Sequence, residues 1–211
     1  MKYFLAILFL YVHSFSQELS PTNVLENVRS KYSQMNDVSA YFIQLVTLRY
    51  KQSGQKTAGS IQLKKGNRYR IETEQQTIVT DGKTVWMYSP DSKQVLVDVF
   101  KPNRQQFSPD KFLIGLPKDF SASKLDTAGE LLILTLEPTK VSSASSMMTG
   151  VRVWVNADSW LFEKIEYSDK NGTATSITLS NIRFNKGIAD TNFRFEITPE
   201  MKVVDMKSFK Q

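Results

Sequence analysis

The sequence predicts a mainly β protein, an antiparallel meander of about ten or eleven strands with one helix before it and a short one inserted midway. Three observations carry that expectation. From Val38 onward, apolar side chains recur with a period of two in short runs. Tight-turn residues separate the runs, among them Lys64-Lys65-Gly66-Asn67, Asp81-Gly82 and Asn156-Ala157-Asp158. Helical spacing appears only near the start of the chain and again around Phe112.

Residues 1–16 are expected to stand outside the fold. Met1-Lys2 forms a minimal positive start, and Tyr3 to Val12 is an apolar run too short to span a bilayer comfortably. Ser14-Phe15-Ser16 then puts small residues where a signal peptidase needs them, before Gln17. Removing 16 of the 211 residues leaves 195, a length that suits a single domain over residues 17–211. No cysteine follows the apolar run and no second long apolar stretch appears, so the expected product is exported, soluble and without a lipid anchor of its own.

The first helix is expected from Ser20, an N-cap followed by Pro21, with Val24, Leu25, Val28, Tyr32 and Met35 at helical spacing and Asn36-Asp37 as its end. A long strand is then expected from Val38 to Tyr50, with Val38, Ala40, Phe42, Val46, Leu48 and Tyr50 on one face. Gly59 to Leu63, Tyr69 to Thr73, Thr77 to Thr80, Val85 to Tyr88 and Val95 to Phe100 follow as hairpin strands. Asp81-Gly82 is the strongest of their turn signals. Residues 101–125 break the pattern. There Ser108-Pro109-Asp110 caps a short apolar helix, Phe112 to Ile114, which Gly115 and Pro117 stop. Strands resume at Leu131 to Leu136, Val151 to Val155, Leu161 to Tyr167, Thr173 to Phe184 and Phe193 to Ile197, while Val141 to Thr149 reads as a mobile loop.

The formal charge is +6, or +5 once Lys2 is removed with the first segment. That basic excess is spread along strands, as in Arg68-Tyr69-Arg70-Ile71-Glu72, and is not clustered as nucleic-acid binding requires. There is no cysteine, and His13, the one histidine, lies in the first segment. Nucleophilic sites built on imidazole or thiol, zinc sites built on the same groups, and disulfides are thereby excluded from residues 17–211. The carboxylates Glu72, Glu74, Asp81, Asp98 and Asp158 sit at turns or polar strand positions, and no cofactor and no enzymatic activity are expected.

Large apolar side chains are in surplus for one thin sheet: Phe42, Ile61, Leu63, Tyr69, Ile71, Trp86, Leu132 and Leu134 are among them. Two architectures accommodate this surplus. One is a β-sandwich with a filled core. The other is a concave sheet whose open side is closed by a movable helix, which leaves an apolar cavity. Few helices, and a short apolar insert from Phe107 to Leu116 with little stability of its own, favour the second.

Several fragments resemble the LolA-type outer-membrane lipoprotein carrier proteins. They are Phe42-Ile43-Gln44, Gly59-Ser60-Ile61-Gln62-Leu63-Lys64-Lys65 with Tyr69-Arg70-Ile71, and above all Ile78 to Tyr88 around Asp81-Gly82-Lys83 and Trp86-Met87-Tyr88. Val153-Trp154-Val155-Asn156, Glu163-Lys164-Ile165, and Phe193-Arg194-Phe195 with Pro199 continue the likeness in the same order. The resemblance implies an incomplete antiparallel β-barrel, a half-barrel with a helical lid. The implied cavity takes lipoprotein acyl chains between Phe42, Ile61, Leu63, Tyr69, Ile71, Trp86, Leu132 and Leu134, and Lys65, Phe112, Leu113 and Ile114 serve the lid and its gating.

It further implies a periplasmic monomer that collects lipoproteins from an inner-membrane ABC release complex and delivers them to an outer-membrane acceptor or the outer membrane itself. One departure stands out. Where the family commonly has an arginine and a proline at the end of the second strand, this chain has Lys65 and Gly66. Lysine lacks the planar fork of donors, which leaves a weaker latch or one supplied by Arg68 or Arg70. A lipid-binding sensor and a carrier of other lipids are the competing readings.

Overall fold

The computed structural model describes residues 19–50, 54–101, 120–139 and 148–207. The first described element is helix α1, Pro21–Ser33. Ser20 caps it, its hydroxyl oxygen accepting the Asn23 N–H at 3.2 Å, and Pro21 occupies the first turn, where no donor is needed. Val24, Leu25, Val28 and Tyr32 recur on one side of the helix and are all buried.

Twelve strands form one sheet. They are β1 (Asp37–Thr47), β2 (Gln55–Lys64), β3 (Arg68–Thr73), β4 (Thr77–Asp81), β5 (Thr84–Ser89), β6 (Gln94–Val99), β7 (Phe120–Ala128), β8 (Leu131–Pro138), β9 (Met148–Asn156), β10 (Phe162–Asp169), β11 (Ala174–Phe184) and β12 (Lys202–Asp205). Their order is β12-β6-β5-β4-β3-β2-β1-β11-β10-β9-β8-β7. Every pair is antiparallel except β12 with β6, and the outermost strands, β7 and β12, do not pair with each other. The sheet is open, as an incomplete barrel requires.

The sheet must also curve. One cluster of buried side chains runs from Ile71 on β3, through Leu63, Phe42, Leu179 and Leu134, to Phe120 at the start of β7, with α1 packed into it. Laid flat, the eight strands from β3 to β7 would span about 34 Å, several times the roughly 10–12 Å width of a helix. A single helix can share one core with all of them only if the sheet wraps around it. Four register shifts supply the bending, in the β1/β11, β9/β10 (two) and β7/β8 ladders. In the first, Asn181 with φ of 50° takes part in the bulge opposite Ala40.

Tyr32 anchors the helix to the sheet. Its ring stacks on Phe162 at 5.0 Å and meets Phe184 edge-on at 6.1 Å, while its hydroxyl oxygen accepts the Phe162 N–H at 3.2 Å. Arg29 donates to the Phe120 carbonyl at 2.6 Å and ties the same helix to the β7 edge.

The outer face has a smaller core of its own. After Phe184 the chain leaves β11 and crosses the outside of β2 to β5, turning through a 3-10 segment at Asp190–Phe193 before returning as β12. The departure point is clamped. The buried Asp37 carboxylate accepts the Lys186 and Gly187 N–H groups at 2.9 and 3.0 Å, and the Asn185 side-chain oxygen accepts the Asn36 N–H at 2.7 Å. Lys64 and Arg68 then hold Asp190 at 2.5 and 2.8 Å, and Asn192 donates to Gln62 at 2.9 Å. Those cations hold the Asp190 carboxyl below the usual carboxylate range, the Lys64 hydrogen bond contributing most. Phe193 is fully buried, and Phe195 lies 5.6 Å from the Tyr88 ring.

Several expectations are corrected. Phe193 to Ile197 is no strand: Phe193 ends the 3-10 segment, and the extended residues after it pair with no neighbour, because the segment lies across the sheet instead of joining it. Two strands were not expected. β7 begins in the stretch read as a break, and β12 lies beyond the last expected strand, which brings the total among the described residues to twelve. β1 stops at Thr47, leaving Leu48 and Tyr50 exposed instead of aligned with Phe42. Met148 and Thr149, assigned to a loop, begin β9. The expected helix Phe112 to Ile114 and the segment 1–16 lie outside the described residues.

Two measurements check this packing. Tyr32→Phe leaves the buried Phe162 N–H without its acceptor, and a loss of about 1–3 kcal/mol in unfolding free energy is expected, read as a lower denaturant midpoint. Burial pushes the Tyr32 hydroxyl far above the usual phenol range and that of Tyr167 up to about 12. Stability should therefore hold below pH about 10 and fall above it, where only the unfolded tyrosines ionise, and the double phenylalanine variant should flatten that decline. Gly59→Ala should destabilise the β1–β3 region, because a Cβ there would strike the Glu72 carbonyl oxygen and press to 3.0 Å from the Phe42 ring. A thermal midpoint unchanged by that substitution would contradict the close approach.

Candidate functional site

The side chains of each strand alternate between the two faces, so the register assigns every residue to the inner or outer side. One inner row runs Ala40, Ile61, Ile71, Ile78, Met87, Leu96 across β1 to β6. A second runs Val38, Leu63, Tyr69, Thr80, Val85, Asp98. Along both rows burial changes character. Phe42, Ile61 and Leu63, with Leu132 and Leu134 across the sheet, are buried to within a few per cent and packed in the cluster beneath α1. Tyr69 and Ile78 touch the edge of that cluster and are half-buried. Val85, Met87 and Leu96 are half-buried and stand outside it. The inner face is thus a filled core on one side and a partly uncovered apolar surface on β3 to β6. Phe100, following β6, sets its ring 6.2 Å from that of Tyr69 and borders the same surface.

The expected cavity residues divide accordingly. Tyr69 and Ile71 lie at the junction between core and open surface. Phe42, Ile61, Leu63, Leu132 and Leu134 share the inner face but belong to the packed part. Trp86 is a correction. It pairs with Val79 and Val97, one residue out of phase with Met87, and so lies on the outer face, which buries apolar side chains of its own around Phe193. The inner residues that sequence reasoning missed are Ile78, Met87, Leu96 and Phe100. Alternation from Ile71 through the Asp81-Gly82 hairpin is the signal that finds them.

Two polar groups interrupt the apolar surface. Thr80 is fully buried and its hydroxyl oxygen accepts the Gly82 N–H at 3.0 Å, which shapes the β4–β5 turn. The Asp98 carboxylate is also buried and accepts the Val99 N–H at 2.7 Å. Among the described residues no group of three or more His, Cys, Asp or Glu side chains is arranged to hold a metal ion.

Lys65 lies exposed at the β2–β3 turn, its N–H donating to the Asn36 carbonyl at 2.9 Å. Its expected partners Phe112, Leu113 and Ile114 lie outside the described residues. Neither alternative latch is uncommitted. Arg68 binds Asp190 and the Lys65 carbonyl, and Arg70 binds Glu72 at 2.7 Å and reaches the Asn192 carbonyl, all on the outer face.

Comparison with known proteins fits this geometry. Residues 33–196 match the family model described as outer membrane lipoprotein carrier protein LolA. The outer-membrane lipoprotein carrier protein of Haemophilus influenzae is 27% identical over 193 residues, covering 90% of each chain. That of Legionella pneumophila is 26% identical over 213 residues, covering 96% of this chain and 98% of its own. Among solved structures, an uncharacterized conserved protein from Thermus thermophilus superposes with a TM-score of 0.56 at 10% identity, over 86% of this chain and 96% of that one, a likeness of fold alone. With the family model spanning most of the open sheet, the chain belongs to the LolA family of outer-membrane lipoprotein carrier proteins.

Proposed function

We propose that this protein is a periplasmic carrier and not an enzyme, binding lipoprotein acyl chains against the inner face of β3 to β6. It would receive lipoproteins from an inner-membrane ABC release complex and pass them to the outer membrane or to an acceptor there. In this reading residues 1–16 are removed on export and residues 17–211 form the single carrier domain. The carrying observation is the half-buried apolar surface of Tyr69, Ile78, Val85, Met87 and Leu96 beside a finished core. An apolar surface left partly uncovered in a folded protein calls for a ligand or partner.

The energetics favour such a role. Each methylene removed from water is worth about 0.8 kcal/mol, so an acyl anchor crosses an aqueous compartment only under cover. The same arithmetic argues for a shallow surface, since a fully enclosing one would retain its cargo. Phe42, Ile61, Leu63, Leu132 and Leu134 act in this proposal as the rigid floor, while Tyr69 and Ile71 mark where floor gives way to binding surface. Gating by Lys65 with Phe112, Leu113 and Ile114 remains part of the proposal as the family resemblance implies it.

Binding of a palmitoylated lipopeptide to the purified protein tests the reading directly. Met87→Asp and Leu96→Asp should each weaken it by at least about tenfold, given roughly 1.5–3 kcal/mol for a buried large apolar side chain, with little change in unfolding midpoint. Equal binding by both variants would remove the proposed surface. In cells, depletion should leave outer-membrane lipoproteins in the inner membrane, and normal sorting would refute the transport role.

A further inference from the structure

We infer that one end of the sheet, where the β1–β2 hairpin adjoins the β10–β11 turn, docks on the surface of an anionic phospholipid bilayer. β1 ends at Thr47, and Leu48, Arg49 and Tyr50 follow it outside the strand, all exposed. Leu48 is 45% exposed and Tyr50 90% exposed, and Leu45, on the outer face of the last strand turn, is 43% exposed. Hairpin ends are ordinarily polar, but here an aromatic ring and two leucines are exposed at one end, and the apolar patch continues along the outer face of β1 through Ile43 and Tyr41, 46% and 58% exposed.

Cations surround it. Arg49 stands between Leu48 and Tyr50, Lys56 pairs across the ladder from Leu45, and Lys170 lies on the adjoining turn, all of them exposed. Among the described residues none of the three enters an ion pair. Arg49 also fixes the arrangement. Its guanidinium sits 5.8 Å from the Tyr50 ring centre, and its stem lies so close over Gly172 that a Cβ there would come within 2.8 Å of the Arg49 Cδ.

The acid on that turn, Asp169, is engaged inward. Its carboxylate accepts the Asn171 and Thr173 N–H groups at 2.8 and 2.9 Å, and these turn hydrogen bonds, Thr173 first, hold its carboxyl below the usual range. Of the other carboxylates, Glu74 lies on the β3–β4 turn, Glu137 lies on β8, and Glu166, in the row of Leu45 on β10, is paired with Arg152 and Lys164. Positive charge therefore predominates around the patch.

Tyrosine and leucine flanked by arginine and lysine are the side chains suited to the headgroup boundary. The ring and leucines enter the interface, the long cationic stems lie along it, and the charges meet lipid phosphates. A neutral partner would leave Arg49, Lys56 and Lys170 without counter-charges, and a purely acidic one would leave Leu48 and Tyr50 in water. An anionic bilayer answers both. This inference does not depend on what the inner face binds.

Vesicle sedimentation with the purified protein tests it, comparing phosphatidylcholine vesicles with and without phosphatidylglycerol. Partitioning is expected only onto the phosphatidylglycerol vesicles and should decline as salt is raised. Arg49→Gln and Lys56→Gln should each reduce it about fivefold, and Leu48→Ser with Tyr50→Ser about tenfold or more, with unfolding midpoints unchanged for these exposed positions. A Tyr50→Trp variant that retains binding should shift its emission to the blue on adding the same vesicles, reporting burial of that one side chain. Absence of partitioning, equal partitioning onto neutral vesicles, or indifference to the hairpin substitutions would each overturn the inference.

Discussion

A single sheet has one inner face, and among the described residues one 13-residue helix packs against it. That mismatch of areas governs the rest of the molecule. The helix spans enough to close a core against β1, β2 and β7 to β11, provided the sheet curls, and the bulges in three ladders let it curl. Among the described residues that core ends at β3, where Ile71 still belongs to it. Side chains that a second layer would have buried in a sandwich stay half-exposed on β3 to β6, still apolar because the strand pattern is continuous across the whole sheet. The candidate site is the uncovered remainder of the core.

The outer side answers a different need. Strands β3 to β6 carry apolar residues on both faces, which a one-layer sheet in water does not tolerate. The segment after β11 resolves this by lying across the outer face, which also buries Val79 and Val95, burying its own Phe193 and fastening itself through Asp190 to Lys64 and Arg68. The exposed ion pairs contribute little individually. Their value is geometric, in directing the crossing segment over β2 and β3 while Phe193 supplies the apolar contact.

How legible this was in the sequence depends on what each residue had to signal. The hairpin at Asp81-Gly82 was readable because its chemistry is local: the Asp81 carboxylate accepts the Lys83 and Thr84 N–H groups, and Gly82 takes a φ of 90°. Helix α1 was readable from its cap and its stripe. Phe193, Phe195 and Ile197 misled because a segment laid extended over a sheet alternates much as a strand does, and alternation cannot say whether backbone partners exist. β7 was missed because it is an edge strand with few apolar residues, anchored by Phe120 at its start with Ala122 and Leu125 against the core. Trp86 was assigned to the wrong face for a related reason. When both faces of a sheet bury apolar side chains, periodicity gives the phase of a strand but not which phase points inward. The half-barrel itself came from family likeness, since composition alone left a sandwich open.

The pairing of β1 with β11 has a bearing on how the chain acquires its shape. These central neighbours are joined late, since Phe42 meets Leu179 only after the intervening strands have been made, whereas β1 to β6 and β7 to β11 each assemble from adjacent hairpins. Two semi-independent meanders are therefore expected to form quickly, with their union as the slow, long-range step. Until that seam closes, the edges of β1 and β11 are both unpaired strands and the most adhesive surfaces of the nascent protein.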